Sequence, residues 1–449
     1  MILTKDKGFY KSLLLLALPI ALQNLITFSV TLADSVMIGQ LGDSAVSGVY
    51  MGSQIQTLLQ VFTAGIEGAM LILSTQYWGK KDTDAIRKIT AIGLRFAFIF
   101  ALAVAVVCAI FPSFVISLFT PDESIIEAGV PYLRILSFSF PLFALTQGLI
   151  ASMRSVESPK IGMIVSLISL LTNLGLNYLL IFGRLGFPKL GVAGAAIATL
   201  IARILELLVI SVYVLIIDKK LCFKPGSLLI FDKALLRDFI KYGLPVMAGQ
   251  LVWAINTLSS SAIMGRQTAE GVVTALSLAN TLNSLAYVVM NGMSGAVGII
   301  IGKTIGENKL DKIKEYAYTT QIIFLCLGLL TGGILQLIKN PFISLYKISE
   351  SAVAAARTLI NVLSVTIVGT CYQAACLFGL VKSGGDVSFV FKNDCIFVFL
   401  VVIPSAIIAT KLGALPWIVF LCLKSDQILK CFVAVVKINK FNWIKKLTH

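Results

Sequence analysis

The chain has 449 residues, of which 57% are hydrophobic and 13% charged, and it carries a formal net charge of +15. Soluble globular chains carry about 25% charged residues, so this composition excludes a soluble enzyme or nucleic-acid-binding domain. It describes an all-α integral membrane protein instead. Twelve apolar runs fall near 13–38, 46–75, 89–111, 126–153, 160–183, 191–216, 238–264, 272–302, 315–338, 352–381, 388–410 and 414–437. Each is long enough to cross a hydrocarbon core of about 30 Å as a helix. The first lacks a small-residue cleavage site and is expected to stay as a span rather than act as a cleavable signal.

The lysines and arginines gather in alternate loops, 79–88, 154–160, 217–241, 303–314 and 382–392, and in both tails. The intervening loops are poor in them. That pattern predicts an even number of spans in a plasma (inner) membrane, with both termini cytoplasmic and the basic loops against anionic lipid.

The first span places Asp34 after "TLA", with "VMI" beyond it. A carboxylate inside a span costs about 2.5–3.5 kcal/mol on insertion scales and usually faces protein or water. Asp34 is either a helix-end residue hydrogen-bonded near the interface or a protonatable, cation-binding carboxylate. Its candidate partners lie in spans five and six. Asn173 and Asn177, spaced i, i+4, share one helix face, and Thr199 adds a hydroxyl. The four make a hard-oxygen cage for Na+ or a hydrogen-bond network around a protonated Asp34, unless the amides simply join helices. Arg203 and Glu206, spaced i, i+3 in span six, are expected to pair structurally or to relay charge. Glu67, between glycines in span two, is a candidate for the wall of a cavity, with Gln23, Asn24, Gln250, Asn256, Asn280, Asn283 and Gln373. In the last two spans, Asp394, Lys424 and Asp426 are expected to form a charge network, with Lys430 one turn on. The alternative for that group is a second proton or substrate site.

The eight cysteines lie mostly in apolar runs, and the only histidine is His449. No disulfide framework, metal site or histidine relay is expected. There is no phosphate loop, so ATP is not expected as the energy source, and nothing points to an enzyme.

The chain repeats itself. Pro19 in "LALPIALQNL" corresponds to Pro245 in "YGLPVMAGQL", and Gly39 to Gly265, both 226 residues on. "GIEGAMLI" is echoed by "GMSGAVGI" and "KLG" at 189–191 by "KLG" at 411–413. This divides the chain into an amino-terminal six-helix lobe (1–216), a cytoplasmic linker (217–241) and a carboxy-terminal six-helix lobe with a basic tail (242–449). A parallel repeat of this kind belongs to transporters that rock two bundles about a central site.

The ordered set "ALPIALQNL…LADSVMIGQLG", "GIEGAMLILSTQYWGKKD", "GLIASMRSVESPK", "TNLGLNYLLIFG", "LGVAGAAIAT" and "GLVKSGGD" resembles the multidrug and toxic compound extrusion (MATE) transporters along essentially the whole chain. The resemblance implies two pseudo-symmetric six-helix bundles in a V, monomeric, with alternating access. It also implies export of amphiphilic, often cationic drugs against H+ or Na+, with no other cofactor. Asp34 matches the aspartate on which the family's N-terminal lobe depends. Where many relatives have a second aspartate, this chain has Asn177, which favours H+. The acidic residues of the family's C-terminal Na+ site are replaced here by Trp253 and the neutral stretch around Cys371 and Tyr372. The related superfamily's flippases for lipid-linked sugars are the alternative, and they would be expected to show a more strongly cationic cavity.

Overall fold

The computed structural model describes residues 3–267, 270–346 and 348–448, which leaves the lone histidine, His449, outside the described residues. Among the described residues there is no strand; the chain folds into helices throughout. In order these are α1 (Lys7–Ile38), α2 (Asp43–Gly79), α3 (Thr83–Ile110), α4 (Pro112–Ser117), α5 (Glu123–Ser137), α6 (Ser139–Ser155), α7 (Lys160–Phe182), α8 (Gly191–Val212), α9 (Lys233–Gly265), α10 (Val272–Gly306), α11 (Leu310–Ser344), α12 (Glu350–Gln373), α13 (Val387–Ile396), α14 (Ile403–Lys411), α15 (Pro416–Leu423) and α16 (Ser425–Asn439).

Local chemistry sets the ends. Asp82, Asp122 and Ser349 cap α3, α5 and α12 by accepting from Ala85, Ser124 and Ala352, which satisfies amides a helix start leaves open. Gly183 ends α7 with φ +67°, a conformation that favours glycine. The fourth expected span is bent by 47° between α5 and α6. Pro141 lies just past the bend and has no N–H to offer the preceding turn.

Nine of the described helices are long and apolar enough to cross a membrane, and the bent pair α5–α6 makes a tenth. The two other expected spans are present as α9 and the broken pair α15–α16. Both are more polar. α9 opens with Lys233, Arg237, Asp238 and Lys241, and α15–α16 carries Lys424, Asp426 and Lys430.

The chain divides into two compact units, Leu22–Met247 and Met1–Ala21 with Ala248–His449. The sequence reading parts the chain in the 217–241 linker, whereas these units part inside α1 and α9. Each junction falls two residues after the helix's internal proline, Pro19 or Pro245. Ala21 and Met247 are themselves 226 residues apart, the spacing of the repeat.

In the first unit, α2 packs against α3, α5 and α6, and α7 against α8. α2 and α5 meet at Gly48 and Gly129, where a Cβ on Gly48 would lie 2.7 Å from the Gly129 nitrogen. Only glycine permits that approach. The 217–241 stretch is strapped to α3. Arg87 donates to the Leu221 carbonyl at 2.7 Å, Arg95 to that of Ile230, and Lys88 pairs with Asp232 at 3.0 Å. Residues 233–241 of that stretch are already helix, the start of α9.

In the second unit, the start of α1 (Phe9, Leu13, Leu16 and Ile20) is buried among residues of α10, α11, α13 and α16. Both chain ends are tied to one end of this unit. The Thr4 amide donates to Thr319 at 2.8 Å, and Asp6 binds Lys312 at 2.9 Å and Tyr316 at 2.7 Å. The tail after α16 folds back so that Trp443 is fully buried, and Lys437 and Lys445 both pair with Asp386, at 2.7 and 2.6 Å.

Candidate functional site

Asp34 lies one turn before the end of α1, in the unit that holds α7 and α8. Its carboxylate is turned toward α7. Asn177 donates to Asp34 Oδ1 at 2.5 Å and also lies 3.0 Å from Asn173 Oδ1, while Asn173 reaches Thr199 Oγ1 at 3.4 Å. The i, i+4 spacing puts both amides on one face of α7, and both are essentially unexposed. The structure therefore gathers Asp34, Asn173, Asn177 and Thr199 into one polar line from α1 through α7 to α8. Asn177 Oδ1 is buried without a hydrogen-bond partner among the described residues.

Two groups that the sequence does not connect with this line stand beside it. The Arg203 guanidinium and the Tyr132 hydroxyl are within electrostatic reach of the Asp34 carboxylate. Arg203 is held by both oxygens of Glu206, at 2.9 and 2.7 Å, and lies over the Phe143 ring at 4.8 Å. The pair is internal to α8, and α5 and α6 close around it.

Glu67 on α2 faces Arg154 on α6 at 4.0 Å, and Arg154 also donates to Gln23 Oε1 at 2.8 Å. Gln23, expected from the sequence to line a cavity, is buried within its unit. It lies so close to α7 that a Cβ on Gly162 would meet its Oε1 at 2.5 Å. Arg154 escapes a reading of the sequence because a basic residue at the inner end of a span looks like ordinary positive-inside charge. The lone Glu67 is the signal that a cation must lie opposite it.

In the other unit, Lys430 rather than Lys424 is the hub of the charge network. It binds Asp394 on α13 at 2.8 Å and Asp426 on its own helix at 3.1 Å. Asp426 and Lys430 are i, i+4 on α16, whereas Lys424 occupies the break before that helix and lies over Phe420 at 5.7 Å. Asp426 also accepts from Gln427 at 3.1 Å, and Gln373 donates to Gln427. Gln373 is thus a buried link in this network. Among the described residues, no hydrogen bond joins the side chains of Gln250, Asn256, Asn280 and Asn283. Asn280 is exposed, and Asn256 buries an unpartnered Oδ1. No group of three or more metal-binding side chains is found among the described residues, and all eight cysteines are free.

A family model described as MatE matches residues 19–179 and again 245–408, two stretches whose starts are 226 residues apart. The chain belongs to the MatE family. Among its relatives, the "Probable multidrug resistance protein YoeA" of Bacillus subtilis (strain 168) is 25% identical over 79% of this chain and 77% of that protein. The "Multidrug resistance protein NorM" of Photobacterium profundum is 25% identical over 91% of this chain and 89% of its own length. The fold is that of the Vibrio cholerae MATE transporter VcmN in the bent form, with a TM-score of 0.86 at 16% identity, covering 96% of this chain and 97% of that one. The MatE match begins at Pro19 and at Pro245, the prolines that precede the two junctions between units.

Proposed function

We propose that this member of the MatE family is a secondary active exporter that moves amphiphilic or cationic drugs outward in exchange for an inward cation, by alternating access. The membrane is the plasma membrane, with both termini on the cytoplasmic side, and the working unit is a monomer. The names of the multidrug-resistance relatives support the substrate class.

One observation carries the coupling: a carboxylate inside a span, Asp34, bonded to a buried amide and hydroxyl line. H+ is favoured over Na+ as the coupling ion. Asn177 presents N–H donors to Asp34 and Asn173, an orientation that suits a carboxylate and not a metal cation, which takes oxygen ligands. In the proposed cycle a proton reaches Asp34 from outside and removes the charge that Asn177 and Arg203 stabilise. α1 then repacks around its Pro19 region, the drug leaves, and the proton exits inward as the lobes rock. The flippase alternative gains nothing from the first unit, where Arg154 and Arg203 each face a carboxylate.

The test of the substrate class is efflux of ethidium from energised cells lacking their own exporters. Cells expressing the chain should lose the dye faster than controls, and collapse of the proton gradient should abolish the difference. Equal rates with and without the chain would remove the drug-export reading.

A further inference from the structure

α1 touches α7 at two places in the first unit. Near the end of α7, Asp34 accepts from Asn177. Near its start, a Cβ on Gly162 would lie 2.5 Å from Gln23 Oε1, so the missing side chain admits the Gln23 carbonyl to α7. Gln23 and Asp34 are eleven residues apart, three turns on one face of α1 and about 16 Å along it. Between the two contacts, Ser166, Ser169, Asn173 and Asn177 follow Gly162 at steps of three or four residues, and all five are buried. One polar face of α7 therefore runs from Asp34 to Gln23.

Groups along that face lack protein partners. Asn177 Oδ1 and, beside Gln23, Arg154 Nε are buried with none among the described residues. Ser166 and Ser169, 9% and 5% exposed, hydrogen-bond through their hydroxyls to no protein atom among the described residues. The hydroxyls of Thr27, Thr63 and Thr199, by contrast, fold back on the carbonyl four residues earlier. Neighbours at i, i+3 or i, i+4 have Cβ atoms about 5–6 Å apart, the span of one water making two hydrogen bonds of about 2.8 Å. Buried polar groups without protein partners are where internal water is held.

A second carboxylate stands at the Gln23 end. Arg154 donates to Gln23 at 2.8 Å and faces Glu67 at 4.0 Å, and no hydrogen bond reaches Glu67 among the described residues. Arg154, from α6, is the charge that acts on Glu67. The neighbours of its helix are otherwise uncharged there: α1 brings Gln23, α3 sets Gly93 against Met70, and α9 lays Met247 and Gly243 against Gly65 and Ala69. Two turns beyond Glu67 on α2, Ser74 is fully buried with an unpartnered hydroxyl. One turn further, Trp78 donates to Glu157 at 3.1 Å, just past Arg154. A brace would look like Glu206, with both oxygens on its arginine.

We infer that Glu67 is a second proton station, fed from Asp34 along the polar face of α7 and gated by Arg154. This rests on the export reading above and names the inward exit of its proton. Asp34 gives its proton to the hydroxyl and water chain at Ser169 and Ser166. Each link accepts one proton and passes one on, so Asp34 returns to carboxylate and Glu67 becomes the neutral acid. The amides of Asn173, Asn177 and Gln23 orient the chain without taking the proton. Neutral Glu67 releases its hold on Arg154, which stays with Gln23. The proton then leaves past Ser74, and the ion pair re-forms.

The test uses the full chain, by infrared difference spectroscopy during acid titration in nanodiscs and by ethidium export from proteoliposomes. The wild type should show two carboxylic C=O bands, one lost in Asp34→Asn and the other in Glu67→Gln. It should also show an O–H band of internal water, identified by its shift in 18O-water, that disappears in Ser166→Val/Ser169→Val. That double variant should keep both carboxylic bands, which separates a broken relay from a lost fold. Glu67→Gln and the double serine variant should each slow proton-coupled export at least about tenfold, and Glu67→Asp should restore most of it. Carboxylic bands in Glu67→Gln identical to the wild type, an internal-water band that survives in the serine variant, or export by Glu67→Gln within about twofold of the wild type would overturn the relay. A wild type that exports no ethidium yet shows both carboxylic bands and the serine-dependent water band would instead remove the export reading and leave the relay standing.

Discussion

Asn177 donates to Asp34 at 2.5 Å and lies 3.0 Å from the Asn173 carbonyl, while its own carbonyl oxygen is buried without a partner among the described residues. The amide thus spends its donors on Asp34 and Asn173 and leaves an acceptor idle. Asn177→Asp would replace the donor with a second carboxylate and create an oxygen-rich pocket with Asn173 and Thr199. Export by this variant should become stimulated by an inward Na+ gradient, and the purified protein should retain radioactive sodium where the wild type does not. A variant with no sodium response would show that the amide's orientation does not decide the ion.

In the Arg203–Glu206 pair one guanidinium nitrogen meets both carboxylate oxygens, and the pair is almost fully buried, with side-chain exposures of 14% and 5%. Removing one partner of a buried pair strands the other charge and typically costs about 3–5 kcal/mol, whereas replacing both by apolar residues is often neutral. Arg203→Met or Glu206→Gln should each lower the melting temperature of the purified protein sharply, and the Arg203→Met/Glu206→Met double variant should recover most of the loss. Additive losses in the double variant would contradict the pairing energetics.

The carboxy-terminal tail is part of the fold of its unit. A Cβ on Gly384 would fall 2.3 Å from the Trp443 ring, and Gly385 has φ +98° with Leu447 and Lys445 against it. Gly384→Ala should therefore destabilise by about 1–3 kcal/mol through overpacking. Truncation after Asn439 should do at least as much, because it removes Trp443 and one of the two lysines on Asp386. Melting curves of the two variants that overlay the wild type would show the tail to be dispensable.

Asp6 lies outside the spans. Hydrogen bonds from Lys312, and then from Tyr316, lower its carboxyl from 3.8 to about 2. A lowered acid stabilises the folded state fully above its unfolded value, and that stabilisation disappears as pH falls through the folded value. Asp6→Asn should thus melt below the wild type at neutral pH, and the gap should close as pH falls from 3.8 toward 2. A gap that persists at the acid end would assign the loss to packing rather than to charge.

Much of this is legible in the sequence because membrane helices declare themselves by composition and the 226-residue repeat fixes the order. Asp34, Asn173, Asn177 and Thr199 are also legible, since polar groups in apolar runs must find one another. The junctions after Ala21 and Met247 are not. An unbroken apolar helix has the same pattern whichever neighbours it packs on, and neither α1 nor α9 is interrupted there. Lys430 does not stand above Lys424 in the sequence, because the break at residue 424 resets the helical register that an unbroken span would have given. Arg154 is hidden by its place at a basic loop, and the Trp443 tail by following the last apolar run.

The central claim is that Asp34 carries the coupling proton. The most direct measurement is proton movement in proteoliposomes containing a pH-sensitive dye and the purified chain, started by adding ethidium, for the wild type and for Asp34→Asn. The account predicts drug-driven proton flux opposite to the drug in the wild type, insensitive to Na+, and none in Asp34→Asn despite an intact melting curve. Undiminished proton flux in Asp34→Asn would contradict it and move the coupling to Asp394 and Asp426.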